Sequence, residues 1–490
     1  MSERTVLKAE KDYSKEVDAL LPEAQQLAKT NVHDAIEKLA VLEKQCRQAS
    51  DLASSSRILI GIVTMAKDAG DWKLVNEQVI SLSKKHGQLK QAITRMIQTA
   101  MNFINQTPDM QTKMSLIETL RTVTEGKIFV EVERARVTRM LSDIKKGQGD
   151  INGAAAVLCE LQVETFGTMA RREKTEFILE QVDLCIAKED WTQATVLSRK
   201  ISTRYFARKP KKSPEELEKA IQEAKEREEK RTEDDAPVER PDDDVTDLKL
   251  RYYHQQIIIA SHENKYLEVC KHYRQILDTE AIEASPDKLQ ATLQRIIYYN
   301  VLSPYDNEQY DLLNRIAADT RINQVPVEAR LLKKFTVHEL MRWPVFAEEF
   351  GPHLCTTDVF SAKPSLPVDD KPFERWQDLR KRVIEHNVRV VAKYYTRIQT
   401  SRLCELLDLS EEETEKYISD LVTSKTIYAR IDRPAGVVNF AKSRDADDIL
   451  NEWSGNVKSL LGLLERVDHL ITKEEMMARI LPTKSGKTSA

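Results

Sequence analysis

Histidine and acidic side chains are the first residues to test for chemistry, because they serve as metal ligands and as proton donors and acceptors. His338 and Glu339 begin like a zinc-peptidase helix, but Arg342 stands where that motif requires a second histidine. The phosphate-binding patterns Gly-x-x-x-x-Gly-Lys-Ser/Thr and Gly-x-Gly-x-x-Gly are absent, as is the nucleophile pattern Gly-x-Ser-x-Gly. We therefore expect no enzyme activity, no catalytic or metal-binding residues and no cofactor.

The cysteines point to the same conclusion. None belongs to a Cys-x-x-Cys pair, which is the usual spacing of zinc and redox sites. Scattered single cysteines are typical of reduced thiols in an intracellular protein. They are Cys46, Cys159, Cys185, Cys270, Cys355 and Cys404.

Net charge and hydropathy restrict the class of partner. The 490-residue chain has a formal net charge of -4, whereas proteins that hold phosphate backbones usually have a basic excess. Residues 1–13 are charged and lack the apolar core of a signal peptide, and no run approaches the ~18 apolar residues of a membrane span. We expect protein partners, no membrane, and a location in the cytoplasm and nucleus.

Helical periodicity predicts a mainly α-helical protein that begins with a helix-pair solenoid of the tetratricopeptide or HEAT kind. A turn followed by a bulky residue recurs at Gly70-Asp71-Trp72, Gly149-Asp150-Ile151, Glu189-Asp190-Trp191 and Asn264-Lys265-Tyr266. A degenerate unit near Thr107-Pro108-Asp109 would make the period about 40 residues. In such repeats Trp72, Trp191 and Tyr266 are expected to pack between helices rather than to bind a ligand.

Changes in composition divide the chain further. Mixed-charge sequence between the solenoid and the next helices predicts an insert or linker with almost no apolar face. The predicted segments are the solenoid (1–207), the charged insert (208–247), a helical part leading into the next domain (248–375), a winged helix (376–442), a long helix (443–481) and a flexible tail (482–490).

The winged helix is predicted from a change of period. Helices are expected at 376–395, 400–409 and 410–425, with a short strand at 396–399 and a hairpin at 426–440. Ser410 and Glu413 form a capping box for the third helix. That helix carries five acidic and two basic residues between positions 411 and 425, so it would repel nucleic acid, which is the partner many winged helices bind. A nucleic-acid-binding adaptor nevertheless remains an alternative.

The long helix carries apolar residues that step by three and four, which is a heptad pattern. Such a stripe must be buried, and its position beyond a closed domain favours helices of other chains over the body of its own. The heptad residues are Leu450, Trp453, Val457, Leu460, Leu464, Val467 and Ile471.

A solenoid followed by a winged helix and a long helix resembles PCI-domain proteins, which are named for the proteasome lid, the signalosome and initiation factor 3. Five motifs extend the resemblance to PCI subunits of the lid of the 19S regulatory particle, with a signalosome subunit as the alternative. They are Tyr-Tyr-Asn at 298–300, Leu-Ser-Pro-Tyr-Asp-Asn-Glu-Gln-Tyr at 302–310, Glu-Leu-Met-Arg-Trp-Pro at 339–344, Tyr-Tyr-Thr-Arg-Ile at 394–398, and Lys-Thr-Ile-Tyr-Ala-Arg-Ile-Asp-Arg-Pro-Ala-Gly at 425–436.

The resemblance implies a non-catalytic scaffold for degradation of ubiquitinated proteins. PCI subunits of this kind line up through their winged helices, and their C-terminal helices form a bundle with those of the MPN-domain deubiquitinase pair. The solenoid would reach the ATPase ring and the core particle, and the insert is longer than the family pattern. The winged-helix interface implied on this sequence consists of Ile427, Ala429, Ile431, Val437, Val438 and Phe440.

Overall fold

The protein is described from a computed structural model that covers residues 13–28, 30–206, 222, 245–360, 372–441 and 445–480. It is mainly α-helical, as predicted. The predicted insert lies almost wholly outside the described residues, and the predicted tail lies outside them entirely. Contacts within the chain define two compact units, Met1–Ile296 and Ile297–Ala490, which we describe separately.

The first unit is a succession of antiparallel helix pairs. Apart from the four-residue helix Glu280–Glu283, each helix buries apolar residues against its neighbours, which is the packing expected of a helical repeat. Its helices are α1 (Ser14–Ala28), α2 (Val32–Gln48), α3 (Leu52–Asp68), α4 (Trp72–Lys84), α5 (Lys90–Phe103), α6 (Met110–Thr124), α7 (Glu131–Gly147), α8 (Ile151–Cys159), α9 (Arg171–Ala187), α10 (Trp191–Ser198), α11 (Thr246–His262), α12 (Tyr266–Leu277), α13 (Glu280–Glu283) and the start of α14 (Pro286–Leu302).

The four predicted turn signatures each lie immediately before a helix, so this prediction is confirmed. In each turn the residue two positions before the helix adopts a left-handed conformation, as Gly70 does with a φ of 75°. In three of them the next residue is an aspartate whose carboxylate accepts a hydrogen bond from a backbone N–H in the first turn of the helix. These aspartates are Asp71, Asp150 and Asp190. The turn therefore ends one helix and starts the next with local hydrogen bonds alone.

The repeat period is close to the predicted 40 residues. The second helices of successive pairs begin at Val32, Trp72, Met110, Ile151 and Trp191. The start at Met110 directly follows Thr107-Pro108-Asp109, where the sequence predicted a degenerate unit. The bulky residues pack as expected, since Trp191 stacks on His262 with ring centroids 4.1 Å apart and Tyr266 is buried.

Residues 248–296 pack with the first unit, since α11 lies against α9 and α10. These residues were predicted to belong to the helical part at 248–375 that leads into the PCI domain. Helical periodicity alone could not distinguish the two, because one more helix pair of the repeat has the same pattern as the first pair of the next domain. The predicted domain limits stay predictions.

The helical part of the second unit contains α15 (Asn307–Ala317), α16 (Pro326–Thr336), α17 (Trp343–Leu354) and α18 (Pro372–Tyr394). Its core includes the carboxylate of Glu328, a residue only 2% exposed. The hydroxyl of Tyr298 donates to Glu328 Oε1 at 2.7 Å, and His353 Nε2 lies 2.8 Å from the same oxygen. A carboxylate buried this deeply requires such partners, so these contacts fix the three helices relative to one another.

The winged helix begins with α18, which corresponds to the helix predicted at 376–395, and its element order confirms the prediction. It continues with β1 (Arg397–Gln399), α19 (Thr400–Leu407), α20 (Glu411–Thr423), β2 (Arg430–Asp432) and β3 (Val437–Asn439). Ser410 and Glu413 form the predicted capping box at the start of α20. The strands form an antiparallel sheet in the order β1-β3-β2, which places β3 between two short edge strands. A single long helix, α21 (Ala446–Ile480), comes next.

Candidate subunit interface

The register of the sheet decides which winged-helix residues face inward. Ile398 of β1, Val438 of β3 and Ile431 of β2 lie side by side across the three strands. They pack with α18, α19 and α20 in the core of the winged helix. Because side chains alternate along a strand, the neighbouring residues must point to the other face of the sheet.

Two predicted interface residues belong to this core. Val438 is fully buried and Phe440 is only 7% exposed, so both side chains pack mainly in the core of the winged helix and not on the predicted interface. This corrects the prediction for these two residues. The hairpin looked like an apolar connector in the sequence because its inward-facing residues are apolar, and these residues serve the domain itself.

Ile427 and Ala429 precede the strand in which they were predicted. The N–H of Lys425 bonds to the carbonyl of Val422, and the N–H of Thr426 bonds to the carbonyl of Leu421, both at 3.0 Å. This is a Schellman ending, with Lys425 in the left-handed conformation at a φ of 59°. Residues 425–427 therefore finish α20, and the strand starts only at Arg430. The half-buried side chains of Ile427, Ala429 and Ile431 contact the core of the winged helix.

The outer face of the sheet is mostly polar, and its six residues include two arginines and one aspartate, which leaves a small positive charge. Arg397, Asn439 and Arg430 form one row across the three strands, and Gln399, Val437 and Asp432 form the next. Of the six predicted residues, only Val437 lies on this face, where it is half-buried. The place of Arg397 on this face was not predicted, because β1 lies about forty residues before β3, the strand with which it pairs. Period-two alternation around Ile398 was the signal that could have identified it.

The acidic surface of α20 is partly neutralised within the domain. Arg433, in the turn between β2 and β3, pairs with Glu415 of α20 at 3.1 Å, and this contact holds the pKa of Arg433 above its usual value. Glu413 is engaged in the capping box. Glu411, Glu412 and Asp420 remain exposed. The winged helix therefore presents a weakly basic sheet face and an acidic helix, which suits protein partners better than a uniform polyanion.

The long helix α21 presents all seven predicted heptad residues to solvent. Their exposure ranges from 38% for Val457 to 66% for Trp453. Every residue from Ala446 to Ala478 is exposed, so none of these side chains belongs to a core within the described part of the chain. Exposed apolar surface of this length is characteristic of an interaction site.

The apolar surface of α21 is wider than one heptad seam. With Leu450 assigned to position a, four of the five g positions are also apolar and about half exposed, namely Ile449, Leu463, Leu470 and Met477, whereas the fifth is Asn456. In a two-stranded coiled coil the g position is usually charged, whereas a helix in a bundle is apolar on about three of seven positions. The pattern therefore indicates contact with more than one other helix.

The described residues contain neither a metal-binding cluster nor a membrane-spanning helix. Within them, no group of three or more histidine, cysteine, aspartate or glutamate side chains is arranged to hold a metal ion. Among the helices they form, none combines the length and apolar content that a bilayer span requires.

Three family models match successive parts of the chain. The model described as PSMD12/CSN4, N-terminal, matches residues 34–218 and 239–285. The PCI domain model matches residues 356–442, which include the winged helix. The model described as the 26S proteasome regulatory subunit RPN5 C-terminal domain matches residues 447–479, which lie within α21.

Curated relatives match over almost the whole chain. The 26S proteasome regulatory subunit rpn501 of Schizosaccharomyces pombe is 44% identical, over 96% of this chain and 98% of the relative. RPN5 of Saccharomyces cerevisiae is 45% identical over 97% and 99%, and the 26S proteasome non-ATPase regulatory subunit 12 of Dictyostelium discoideum is 40% identical over 98% of both.

The signalosome alternative is much more distant. COP9 signalosome complex subunit 4 of Arabidopsis thaliana is 24% identical over 47% of this chain and 55% of the relative. The long helix, the winged helix and the identity over nearly the full length all agree. The chain belongs to the family of 26S proteasome regulatory subunits that includes RPN5 and non-ATPase regulatory subunit 12.

Proposed function

We propose that the chain is a non-catalytic scaffold subunit of the regulatory-particle lid of the 26S proteasome, acting in the ATP-dependent degradation of ubiquitinated proteins. The family relationship supports the assignment to this particle. The surfaces described above supply the physical argument, because they offer apolar and charged faces to other proteins.

The observation that carries the proposal is the exposed apolar face of α21. An isolated helix gains little stability in water, and its apolar residues gain free energy only when another surface covers them. Apolar a, d and g positions indicate several partner helices. We therefore assign α21 to a helical bundle formed with other lid PCI subunits and with the MPN-domain deubiquitinase pair.

The other surfaces have complementary roles in this proposal. The weakly basic outer face of the sheet and the acidic helix α20 would contact neighbouring PCI subunits on opposite sides. The helical repeat of the first unit would contact the ATPase ring and the core particle. Cytoplasm and nucleus are the locations that follow from membership of this particle.

Substitution within α21 tests the proposal. Leu464→Asp places a charge at the centre of the apolar face, and we expect it to abolish incorporation into the lid on a native gel. Lys458→Asp introduces the same carboxylate on the opposite side of the helix and should assemble normally. Normal incorporation of Leu464→Asp, or of a chain lacking residues 447–490, would contradict the bundle assignment.

The signalosome alternative and the nucleic-acid-adaptor alternative can be tested with the same purified protein. Co-purification with signalosome subunits instead of lid subunits would favour the signalosome. A nucleic-acid adaptor using Arg397, Arg430 and Arg433 would bind RNA or DNA at low ionic strength and lose affinity steeply with added salt. We expect lid subunits in the mass spectrum and no salt-sensitive binding of oligonucleotide.

A further inference from the structure

The second unit contains a cleft of about 330 Å³ that the scaffold role does not use. It lies between the last turns of α18, the start of α15 and the segment that joins α20 to β2. Five of its thirteen lining residues are aromatic, among them Tyr305 on the α15 side and Tyr428 on the winged-helix side. Its volume is at the lower end of the range for small-ligand pockets, large enough for one or two side chains of a peptide.

One guanidinium defines the polar side of the cleft. The Cζ atom of Arg389 lies 3.6 Å from the centroid of the Tyr305 ring, so the cation is stacked on the aromatic face. Arg389 Nε is buried and has no hydrogen-bond partner among the described residues. Burial lowers the pKa of Arg389, which is the signature of a cation that has lost part of its water. A desolvated N–H donor of this kind requires an acceptor.

Further positive charge lies at the rim. His338 and Lys393 are exposed there, and partial burial together with the charges of Lys393 and Arg389 lowers the pKa of His338. None of the thirteen lining residues is acidic. Glu385 stabilises the charge of Arg389 from one turn away, but its own carboxylate accepts a hydrogen bond from Arg382 at 2.6 Å. The positive charge of the cleft is therefore only partly compensated.

We propose that this cleft binds a short peptide segment in which a carboxylate stands next to an apolar side chain. The carboxylate would accept hydrogen bonds from the guanidinium of Arg389, and the apolar side chain would lie among the aromatic rings. Exposed Asp306 and Glu339 adjoin the lining residues Tyr305 and His338 in sequence, so the surroundings are not the uniformly basic surface that a polyphosphate chain requires. A partner protein is thus favoured over a nucleic acid.

Ligand-observed fluorine NMR on the full chain tests this. The probes are Ac-Gly-Glu-Phe-Gly-Gly-amide and its Gln counterpart, each with 4-fluorophenylalanine, and Ac-Gly-Gly-Gly-Gly-Phe with a free carboxylate and with an amide. We expect saturable line broadening from the acidic peptides and binding weaker by about tenfold or more for their neutral counterparts. Which acidic peptide binds more tightly identifies the source of the carboxylate, a side chain or a C-terminus.

Variants locate the binding. Arg389→Gln should abolish the discrimination between acidic and neutral peptides, and Lys393→Gln at the exposed rim should weaken binding about threefold without affecting the fold. Lys334→Gln, an exposed lysine on α16 outside the cleft, is the matched control. Tyr428→Ala removes one aromatic ring of the cleft and should weaken binding of all the peptides. The proposal is overturned if acidic and neutral peptides broaden equally, or if no saturable binding occurs at millimolar peptide. It is also overturned if an oligonucleotide binds more tightly, or if Lys393→Gln and Tyr428→Ala leave peptide binding unchanged.

Discussion

The winged helix and α21 use similar amounts of apolar sequence in opposite ways. The winged helix closes its apolar residues on itself, so that Val438 is fully buried between two neighbouring strands and three helices. Every residue of the long helix from Ala446 to Ala478 is exposed, including Val457, which is a valine like the buried Val438. The winged helix therefore has its own hydrophobic core, whereas α21 has an apolar surface that requires a partner. Apolar periodicity alone did not separate them.

The largest expected difference comes from placing the same substitution in both regions. Val438→Asp buries an unpaired carboxylate in a closed core, and we expect it to cost about 4 kcal/mol or to unfold the winged helix. Val457→Asp should change the stability of the isolated chain by less than about 0.5 kcal/mol, because its side chain is already in water. Urea unfolding with hydrogen exchange of peptides from residues 397–440 measures both. Equal losses would contradict the contrast.

Hydrogen exchange gives a second comparison. In the isolated chain α21 lacks tertiary packing, so its amides should exchange on the order of a hundredfold faster than those of α18. Incorporation into the lid should slow exchange across residues 446–480 while leaving α18 nearly unchanged. Strong protection of α21 before assembly would mean that the chain itself covers the helix.

A third comparison sets the segment before β2, which packs on the core of the winged helix, against the outer face of the sheet. Ile427→Asp should destabilise the winged helix by about 1 to 2 kcal/mol, because Ile427 packs on the core of the domain. Arg430→Glu should leave the melting temperature unchanged and weaken pairing with an adjacent PCI subunit about fivefold, because it reverses one charge on the outer face. Calorimetric titration and thermal melts distinguish these outcomes, and unaltered pairing with Arg430→Glu would exclude the outer face.

The smallest effect isolates local helix chemistry from packing. Ser410→Ala removes the capping box of α20 and should cost about 1 kcal/mol. Ser419→Ala, an exposed serine within the same helix, is the control and should have no measurable cost. A cost for Ser410→Ala as large as that of Val438→Asp would mean that the cap, rather than the core, limits the stability of the winged helix.

Turns and helix ends were predictable from the sequence where the residue type indicates the backbone conformation. Gly70 and Gly149 mark left-handed turns, and the structure has both. The same turn at Ser50-Asp51-Leu52 was not predicted, because it has a serine in the left-handed position, with a φ of 58°, and lacks the aromatic residue that marks the turns before Trp191 and Tyr266. Lys425 likewise adopts the left-handed conformation at the end of α20, which is why the hairpin was predicted to start too early.

Features that join distant segments were not predictable. The row Arg397, Asn439 and Arg430 exists only because β1 pairs with β3. The cleft around Arg389 likewise brings together residues from five separated stretches of the chain. Periodicity along one element determines which residues share a face, but it does not determine what that face meets. The heptad residues of α21 were easier to place, because a single long helix carries them all.

The turns between paired helices have a consequence for synthesis of the protein. Each closes through hydrogen bonds between residues at most five positions apart, as the N–H of Asp190 does with the carbonyl of Cys185 at 2.9 Å. Contacts so local allow helix pairs to form soon after they leave the ribosome. The apolar face of α21 is translated after the helical repeat and the winged helix. It therefore emerges when most of the chain ahead of it can already be folded, which limits the time during which it could be captured by unfolded segments.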